Sequence, residues 1–244
     1  MILPASMAER TRGAARGVRQ RAVADVKRSL VLAAARSAFI ELGLEGASLR
    51  EVAKRAGYTP GAIYSYFASK EEVYGALLGE SLERLNASVE AAVPAPAALS
   101  RLSPARSAAA RSRAAPVAVP VLRAKATAFF DFYRENPRDL DLGFYLFHGM
   151  QPRGLTPALN ERLNARLRDA LAPTERALVD IGMRTADARL EVTALFAHIV
   201  GLLLMSHTGR IRMFGQASAA LFERYLEALV RRALTASKPH GVRP

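Results

Sequence analysis

The sequence contains neither cysteine nor tryptophan in its 244 residues. The absence of thiols excludes disulfides, thiolate metal sites and a cysteine nucleophile. Aromatic residues make up only 7% of the chain, whereas alanine and leucine are abundant, and this bias favours helices over sheets. With 50% hydrophobic and 23% charged residues, the composition is that of a globular protein.

Long hydrophobic runs are also missing. The longest, residues 194–205, has roughly half of the ~20 residues that a membrane-spanning helix needs, and it predicts a buried helix. The N-terminus has no apolar h-region of the kind found in secretory signals. We therefore expect a cytoplasmic protein with no membrane partner.

Acidic residues are outnumbered. The chain has 22 Asp and Glu against 35 Lys and Arg, a net charge of +13, which suggests nucleic acid or an anionic membrane surface as partner. Residues 1–70 hold 12 basic and 5 acidic residues, or +7, whereas residues 126–244 hold 16 and 12, or +4. The anion-binding half is therefore N-terminal.

Composition and periodicity divide the chain into segments. Residues 1–21 predict a disordered basic arm, which either reaches a minor groove or is a solvated tail. Residues 94–120 predict a Pro/Ala/Arg-rich linker, or partial helix near 107–115. The other segments are 22–75 with short helices, 76–93 as a connecting helix, 121–236 with a helical pattern, and 237–244 as a disordered tail.

Helical periodicity is the main local signal. In the first helix, from about Ala22, one apolar stripe contains Val26, Leu30, Ala34 and Ala38, and Gly43 ends the helix. The helices predicted in the second half are 121–135, 139–148, 157–170, 174–183, 186–207 and 217–235. A break is expected at the Pro173 that separates the third and fourth of these.

The stretch from Ser48 to Phe67 has the pattern of a helix-turn-helix. Ser48 and Glu51 form a capping box that starts a helix. Gly57 supplies a left-handed turn. Thr59 caps a second helix, about Thr59 to Phe67, whose first position suits proline, and its inward residue is Ile63. Helices this short cannot bury themselves, and a helix-turn-helix places its second helix in the DNA major groove.

The second helix presents small residues at its leading face: Thr59, Pro60, Gly61 and Ala62. Small residues let a helix N-terminus approach base edges. Tyr64 and Tyr66 follow and suit hydrogen bonds to phosphates. A second capping box, Ser69 to Glu72, starts a helix whose N–H groups and Lys70 can hold a phosphate, and Ser48 can hold another.

These residues resemble the DNA-binding domain of TetR/AcrR-family transcriptional regulators over about residues 22–75. The family pattern is matched by Ser48, Val52, Ala53, Gly57, Gly61, Ile63, Tyr64, Tyr66, Phe67 and Lys70. The resemblance implies an all-α fold, with an N-terminal helix-turn-helix domain followed by a helical ligand-binding and dimerisation domain. It implies a homodimer that binds a pseudo-palindromic operator, usually as a repressor.

The resemblance also assigns roles to residues. Phosphate contacts fall to Ser48, Tyr64, Tyr66 and Lys70, while Arg50 and the turn Thr59–Ala62 would face bases. The chain departs from the family at Pro60, where a small polar residue is common, so base reading at that position is open.

The second half resembles the family only in its general pattern. Its last two long helices would form a four-helix dimer interface through Leu195, Ile199, Leu202, Leu221, Tyr225 and Leu229; intramolecular core is the alternative. A small hydrophobic effector would suit a pocket lined by Phe129, Tyr133, Phe144, Phe147, His148, Met183 and Phe196; ordinary core is again the alternative.

Other functional classes find less support in the sequence. Four histidines without cysteine or a His-x-x-x-His spacing predict no metal site, and we expect no cofactor. No phosphate-binding glycine loop or nucleophile elbow is present, so we expect no enzyme. The second hypothesis is a sequence-nonspecific DNA-packaging protein, in which the basic arm and linker would dominate binding.

Overall fold

The computed structural model of the chain describes residues 7–94, 115–144 and 155–236. Within these ranges the structure contains helices and no strand, which confirms the all-α prediction. The helices are α1 (Met7–Gly46), α2 (Leu49–Ala56), α3 (Pro60–Tyr64), α4 (Lys70–Ala91), α5 (Ala115–Glu135), α6 (Pro137–Phe144), α7 (Pro157–Ile181), α8 (Thr185–His207) and α9 (Ser218–Ala236), with a 3-10 turn (Arg210–Phe214) before α9.

Two compact units make up the chain. The first contains the residues up to Leu78, and the second contains Gly79–Gly143 and the residues from Pro157 on. The division falls inside α4, so its first turns belong to the first unit. The predicted tail at 237–244, and most of the predicted linker, lie outside the described residues.

Helix α1 is longer than the sequence pattern indicates. It begins at Met7, so residues 7–21, expected to be a disordered arm, are helical here. Alanine and arginine are strong helix formers, which explains the extension. From Arg16 onward, the first buried residue is Val31. Val26 and Leu30 are exposed although the apolar stripe predicted both on the buried face. Gly43, at φ 70°, breaks the helix near its end, where the sequence places the stop.

Proline does not interrupt the helices of the second unit as predicted. Pro173 lies within α7, which runs unbroken from Pro157 to Ile181, so the predicted break at that residue is wrong. An internal proline costs about 3 kcal/mol, but Ala170, Thr174, Ala177 and Leu178 beside it are buried, and their packing offsets the cost. Helix α5 likewise begins at Ala115 and contains Pro120, inside the predicted linker.

The other boundaries of the second half lie close to those predicted. Helix α6 starts two residues earlier than expected, at Pro137, because proline suits a first helical position. Its predicted end at His148 falls outside the described residues. Helix α8 begins one residue earlier than predicted, and α9 begins and ends one residue later than predicted.

The second unit packs α5 against α7, and α8 and α9 against both. Phe130 stacks on Phe222 with ring centroids 4.3 Å apart and an interplanar angle of 3°. The Lys125 ammonium donates to the carbonyls of Val89 and Glu90, both at 2.8 Å. These carbonyls lie in the last turn of α4, where Val89 also accepts from the Ala92 N–H at 3.3 Å, so Lys125 helps to satisfy the end of that helix.

Candidate DNA interface

The turn between α2 and α3 is built by local capping. Ser48 Oγ accepts from the Glu51 N–H at 3.2 Å, and Thr59 Oγ1 accepts from the Ala62 N–H at 3.4 Å. Gly57 has φ 73°, a left-handed conformation that costs glycine little. The Tyr58 N–H then donates to the Ala53 carbonyl at 2.9 Å and closes the end of α2. The predicted N-caps and the glycine turn are all observed.

Apolar contacts hold the two short helices together. Val52, Ala53 and Ile63 are fully buried, as the sequence predicts, whereas Ala56 is only half-buried. Helix α3 is shorter than expected, since it ends at Tyr64 rather than Phe67. Its end is marked by Ser65, whose hydroxyl donates to the Ala62 carbonyl at 2.7 Å.

Arg55 joins α2 to α1 through Glu41 and Ser37, and it also bonds Glu51 within α2. Its Nε donates to Glu51 Oε1 at 2.7 Å, and its Nη1 donates to Glu41 Oε2 at 2.7 Å and to Ser37 Oγ at 3.2 Å. The hydrogen bond to Glu41, followed by that to Glu51, raises the pKa of Arg55. Because Glu51 is engaged here, only the Ser48 half of the predicted first capping box is formed.

A second arginine joins α1 to the end of the α3 segment. The guanidinium of Arg28 lies over the ring of Phe67, 4.3 Å from its centroid, in a cation–π contact. Phe67 is itself buried. Sequence reasoning did not identify Arg28 or Arg55 as positioning residues, because their partners lie far away in the chain.

The face of α3 that the sequence assigns to DNA is exposed. Thr59, Pro60 and Gly61 are exposed, Ala62 is half-buried, and Tyr64 is 60% exposed. A Cβ placed on Gly61 would meet no protein atom within 4 Å. Packing within the protein therefore gives no reason for glycine at this position.

The remaining predicted anchors flank this face. Ser48 and Arg50 are exposed at the start of α2, and Tyr66 and Lys70 are half-buried at the junction of α3 and α4. At that junction Ser69 Oγ accepts from the Glu72 N–H at 3.2 Å, while Glu72 Oε2 accepts from the Ala68 N–H at 2.8 Å. Both side-chain hydrogen bonds of the second capping box are thus formed. The Glu72 carboxylate, however, accepts from the N–H of Ala68 rather than from that of the cap residue Ser69.

The predicted dimer residues lie mostly in the core of the second unit. Leu195, Ile199, Leu202 and Leu229 are buried, and Leu221 and Tyr225 are half-buried. A side chain buried within its own chain offers no surface to a second copy. Leu195, Leu202, Leu229 and Ile199 are thus buried within their own chain, and their role in a dimer interface stays a prediction.

Three of the predicted pocket residues come together in the second unit. Phe129 lies edge-on to Tyr133 with centroids 5.5 Å apart and to Phe196 at 6.0 Å. Burial, with the nearby Asp139 charge, raises the pKa of Tyr133. Met183 is also buried. The Phe144 side chain, Phe147 and His148 lie outside the described residues.

Asp139 is a buried polar residue of the second unit, and His198 is half-buried. Asp139 forms an ion pair with Arg84. His198 stacks on Tyr225 with centroids 4.1 Å apart, and burial lowers its pKa. In the part of the chain that the structure describes, no cluster of three or more His, Cys, Asp or Glu could hold a metal ion.

One described helix, Thr185–His207, is long and apolar enough to cross a membrane by length and composition. One third of its apolar window is buried inside the protein. A core helix of a soluble protein passes the same test, so the finding by itself is weak evidence for a membrane span.

Comparison with known proteins places this geometry in a family. Residues 31–77, from the packed part of α1 into α4, match the model of bacterial regulatory proteins of the tetR family. No curated protein sequence matches the chain.

Solved structures share the fold across most of the chain. A tetR-family regulatory protein from Rhodococcus RHA1 is 19% identical with a TM-score of 0.58, covering 84% of this chain and 95% of its own. A TetR-family regulator from Marinobacter aquaeolei VT8 is 20% identical with a TM-score of 0.54, covering 89% and 97%.

A third similar structure is that of the regulator FadR from Bacillus subtilis in complex with stearoyl-CoA. It is 19% identical with a TM-score of 0.54, covering 83% of this chain and 97% of its own. The helix-turn-helix geometry and the matched model identify residues 31–77 as a DNA-binding domain of the tetR family, and the chain as a whole shares the fold of the solved TetR-family regulators.

Proposed function

We propose that the protein is a homodimeric, sequence-specific repressor that a small hydrophobic ligand releases from its operator. The observation that carries the proposal is the exposed face of α3, where Thr59, Pro60 and Gly61 leave space for close approach. The site of action would be cytoplasmic DNA.

Helix dimensions support insertion of α3 into DNA. A helix about 10–12 Å across fits the ~12 Å major groove. In that position Thr59–Ala62 would face base edges, with Arg50 beside them. Ser48, Tyr64, Tyr66 and Lys70 would contact phosphates on the flanks and fix the register.

Selection of binding sites from random double-stranded DNA at ~0.15 M salt tests specificity. We expect wild type to enrich a palindrome whose half-sites lie about 34 Å, or one DNA turn, apart. Tyr64→Phe should weaken binding to all sequences, because it removes one phosphate contact, while Thr59→Ser, which keeps the capping hydroxyl, should change the preferred bases.

The matched control for these variants is Val179→Ala, which alters an exposed residue of α7 in the second unit. It should leave the enriched sequence and the affinity unchanged. Retention of DNA without any enriched sequence, equally in wild type and Tyr64→Phe, would favour the packaging alternative.

Dimerisation is supported by the apolar surface that α8 leaves uncovered. Leu190 is 70% exposed and Leu204 is 57% exposed on this helix, and Met205 is also exposed. A helix that is apolar on all sides is expected to be buried on all sides. A second copy of the chain, related by two-fold symmetry, would cover the face that its own unit does not.

Sedimentation analysis of Leu204→Glu tests this interface. We expect it to shift the protein toward monomer, because it buries a charge at the contact, while Val179→Glu on α7 leaves the dimer intact. A dimer that persists in Leu204→Glu would move the interface away from this face.

The aromatic cluster of the second unit is the proposed effector site. Phe129, Tyr133 and Phe196 present apolar rings with one hydroxyl, which suits an acyl chain with a polar end. The structural similarity to a regulator solved with stearoyl-CoA makes long-chain acyl-CoA the first ligand to test.

Ligand binding would act by shifting the distance between the two recognition helices, so that they no longer fit successive grooves. We expect stearoyl-CoA to release wild type from its selected duplex and to release Phe196→Ala less readily. Expression of a reporter behind that duplex should rise on deletion of the protein; a fall would identify an activator.

A further inference from the structure

The N-terminal part of α1 stands apart from the packed domain. From Arg19 to Leu30 every residue is exposed, and the buried face of the helix begins at Val31. We call residues 7–30 the α1 extension. At ~1.5 Å per residue, its 24 residues are ~36 Å long, about one turn of B-DNA.

The α1 extension is strongly basic. It contains seven basic residues (Arg10, Arg12, Arg16, Arg19, Arg21, Lys27 and Arg28) against two acidic ones (Glu9 and Asp25), a net charge of +5. Arg16, Arg19 and Lys27 are exposed and stand at i, i+3 and i+11. At 100° per residue this spacing places them within one quarter of the helix circumference, so they form one basic face.

The place where the α1 extension leaves the domain is fixed by Arg28. Its guanidinium lies over Phe67, which directly follows Tyr66 and lies three residues before Lys70. Tyr66 and Lys70 are two of the proposed phosphate anchors. The extension therefore begins beside the end of α3 where the DNA backbone would pass.

The α1 extension gains little from its own unit. From Arg16 to Leu30 it contains no buried residue, and the sequence of the extension includes Gly13 and Gly17, each of which disfavours a helix by about 1 kcal/mol relative to alanine. A bare basic helix of this kind is stabilised when a polyanion neutralises its charges.

We propose that the α1 extension is a helical clamp that binds the DNA phosphate backbone beyond the footprint of α3. A helix 10–12 Å across does not enter a minor groove ~6 Å wide, so the contact would be to phosphates and would carry no sequence information. The location of the clamp rests on the proposed insertion of α3 into DNA.

Salt dependence of DNA binding tests the clamp. The variant R16Q/R19Q/K27Q removes three charges and keeps good helix formers. Its control, R138Q/R162Q/R210Q, removes three charges from exposed arginines of the second unit. Binding of labelled duplexes is measured from 0.05 to 0.4 M salt, with the site selected by wild type and with a scrambled 40-bp sequence.

Removing one phosphate contact should reduce the slope of log K against log[salt] by about 0.9 and lower affinity at 0.1 M salt about eightfold. For R16Q/R19Q/K27Q we expect the slope of log K against log[salt] to fall in magnitude by about 0.9 to 2.7 per subunit, equally for both duplexes. The slope of the control variant should change little. A reduction of the slope by less than about 0.9, or an equal reduction in the control variant, would overturn the clamp proposal.

The conformational part of the proposal has its own pair of variants. A Cβ on Gly17 would meet nothing within 4 Å, so Gly17→Ala should keep or raise DNA affinity by favouring the helix. Gly17→Pro has the same charge but breaks the helix and should lower affinity severalfold. Equal affinities for the two variants would refute a helical clamp.

The scrambled duplex also separates this proposal from the proposed operator binding. If no sequence is enriched by wild type, the clamp can still be measured on scrambled DNA.

The α1 extension also exposes Val23, Val26 and Leu30, which a second copy of the chain could cover. A Val26→Glu variant that loses the dimer while R16Q/R19Q/K27Q binds DNA normally would assign this segment to self-association instead.

Discussion

Replacing Gly61 with alanine is expected to separate fold stability from DNA binding. Within the protein, the added methyl group meets no atom closer than 4 Å, and the backbone at Gly61 is not in the left-handed region. Alanine is favoured over glycine inside a helix by up to about 1 kcal/mol, and by less in a first turn. The melting temperature should therefore stay the same or rise by up to about 4 °C.

DNA binding should change in the opposite direction. The methyl group would stand on the exposed face of α3 that is proposed to approach base edges. A reduction of at least tenfold in affinity, about 1.4 kcal/mol, is expected because the helix must shift away from the bases. Thermal unfolding by circular dichroism and anisotropy of a labelled selected duplex, both at 0.15 M salt, measure the two effects.

A second glycine of the same motif provides the control. Gly57 also has open space around it, but its φ is 73°, so alanine there is strained by about 1 kcal/mol. Gly57→Ala should lower the melting temperature. If Gly61→Ala binds DNA as tightly as wild type, Gly61 is not at the contact; if it lowers the melting temperature, the helical geometry described for α3 is refuted.

Three further outcomes are expected. Phe222→Ala should destabilise the second unit by about 3–5 kcal/mol in chemical denaturation, because its ring is buried and stacked on Phe130; a destabilisation below about 1 kcal/mol would contradict that packing. Gly201→Ala, where a Cβ meets nothing within 4 Å of its own chain, should weaken self-association in sedimentation without lowering monomer stability, and an unchanged dimer would place Gly201 outside the interface. Burial lowers the pKa of His198 below its usual 6.5, so its stabilising contribution is complete above pH 6.5 and is lost as the pH falls from there toward the folded-state pKa. As the pH falls through that window, the wild type should lose stability more steeply than His198→Gln. Parallel pH profiles would contradict the lowered pKa of His198.

Local signals predicted the DNA-binding motif well. The caps at Ser48 and Thr59, the left-handed turn at Gly57 and the second capping box at Ser69 each depend on residues five or fewer positions apart. Such interactions are decided by the types of adjacent residues, so a sequence pattern is sufficient to find them.

Where a residue packs on a distant element, the pattern was insufficient. Arg28 packs on Phe67, between α3 and α4, and Arg55 bonds Glu41 in α1. Pro173 stays in a continuous helix because the surrounding core outweighs a local preference. Leu195 and Leu229 lie inside their own unit, since the side of a helix that a neighbour covers depends on how the helices are arranged.

The sequence by itself determined the fold class, the helix-turn-helix and the basic character of the N-terminal half, because composition and short-range capping fix them. Tertiary structure alone decided which apolar faces are covered, which ion pairs join the helices, and that the helix α1 extends far beyond the domain it packs on. These features depend on contacts between residues remote in the chain, and one-dimensional periodicity does not contain that information.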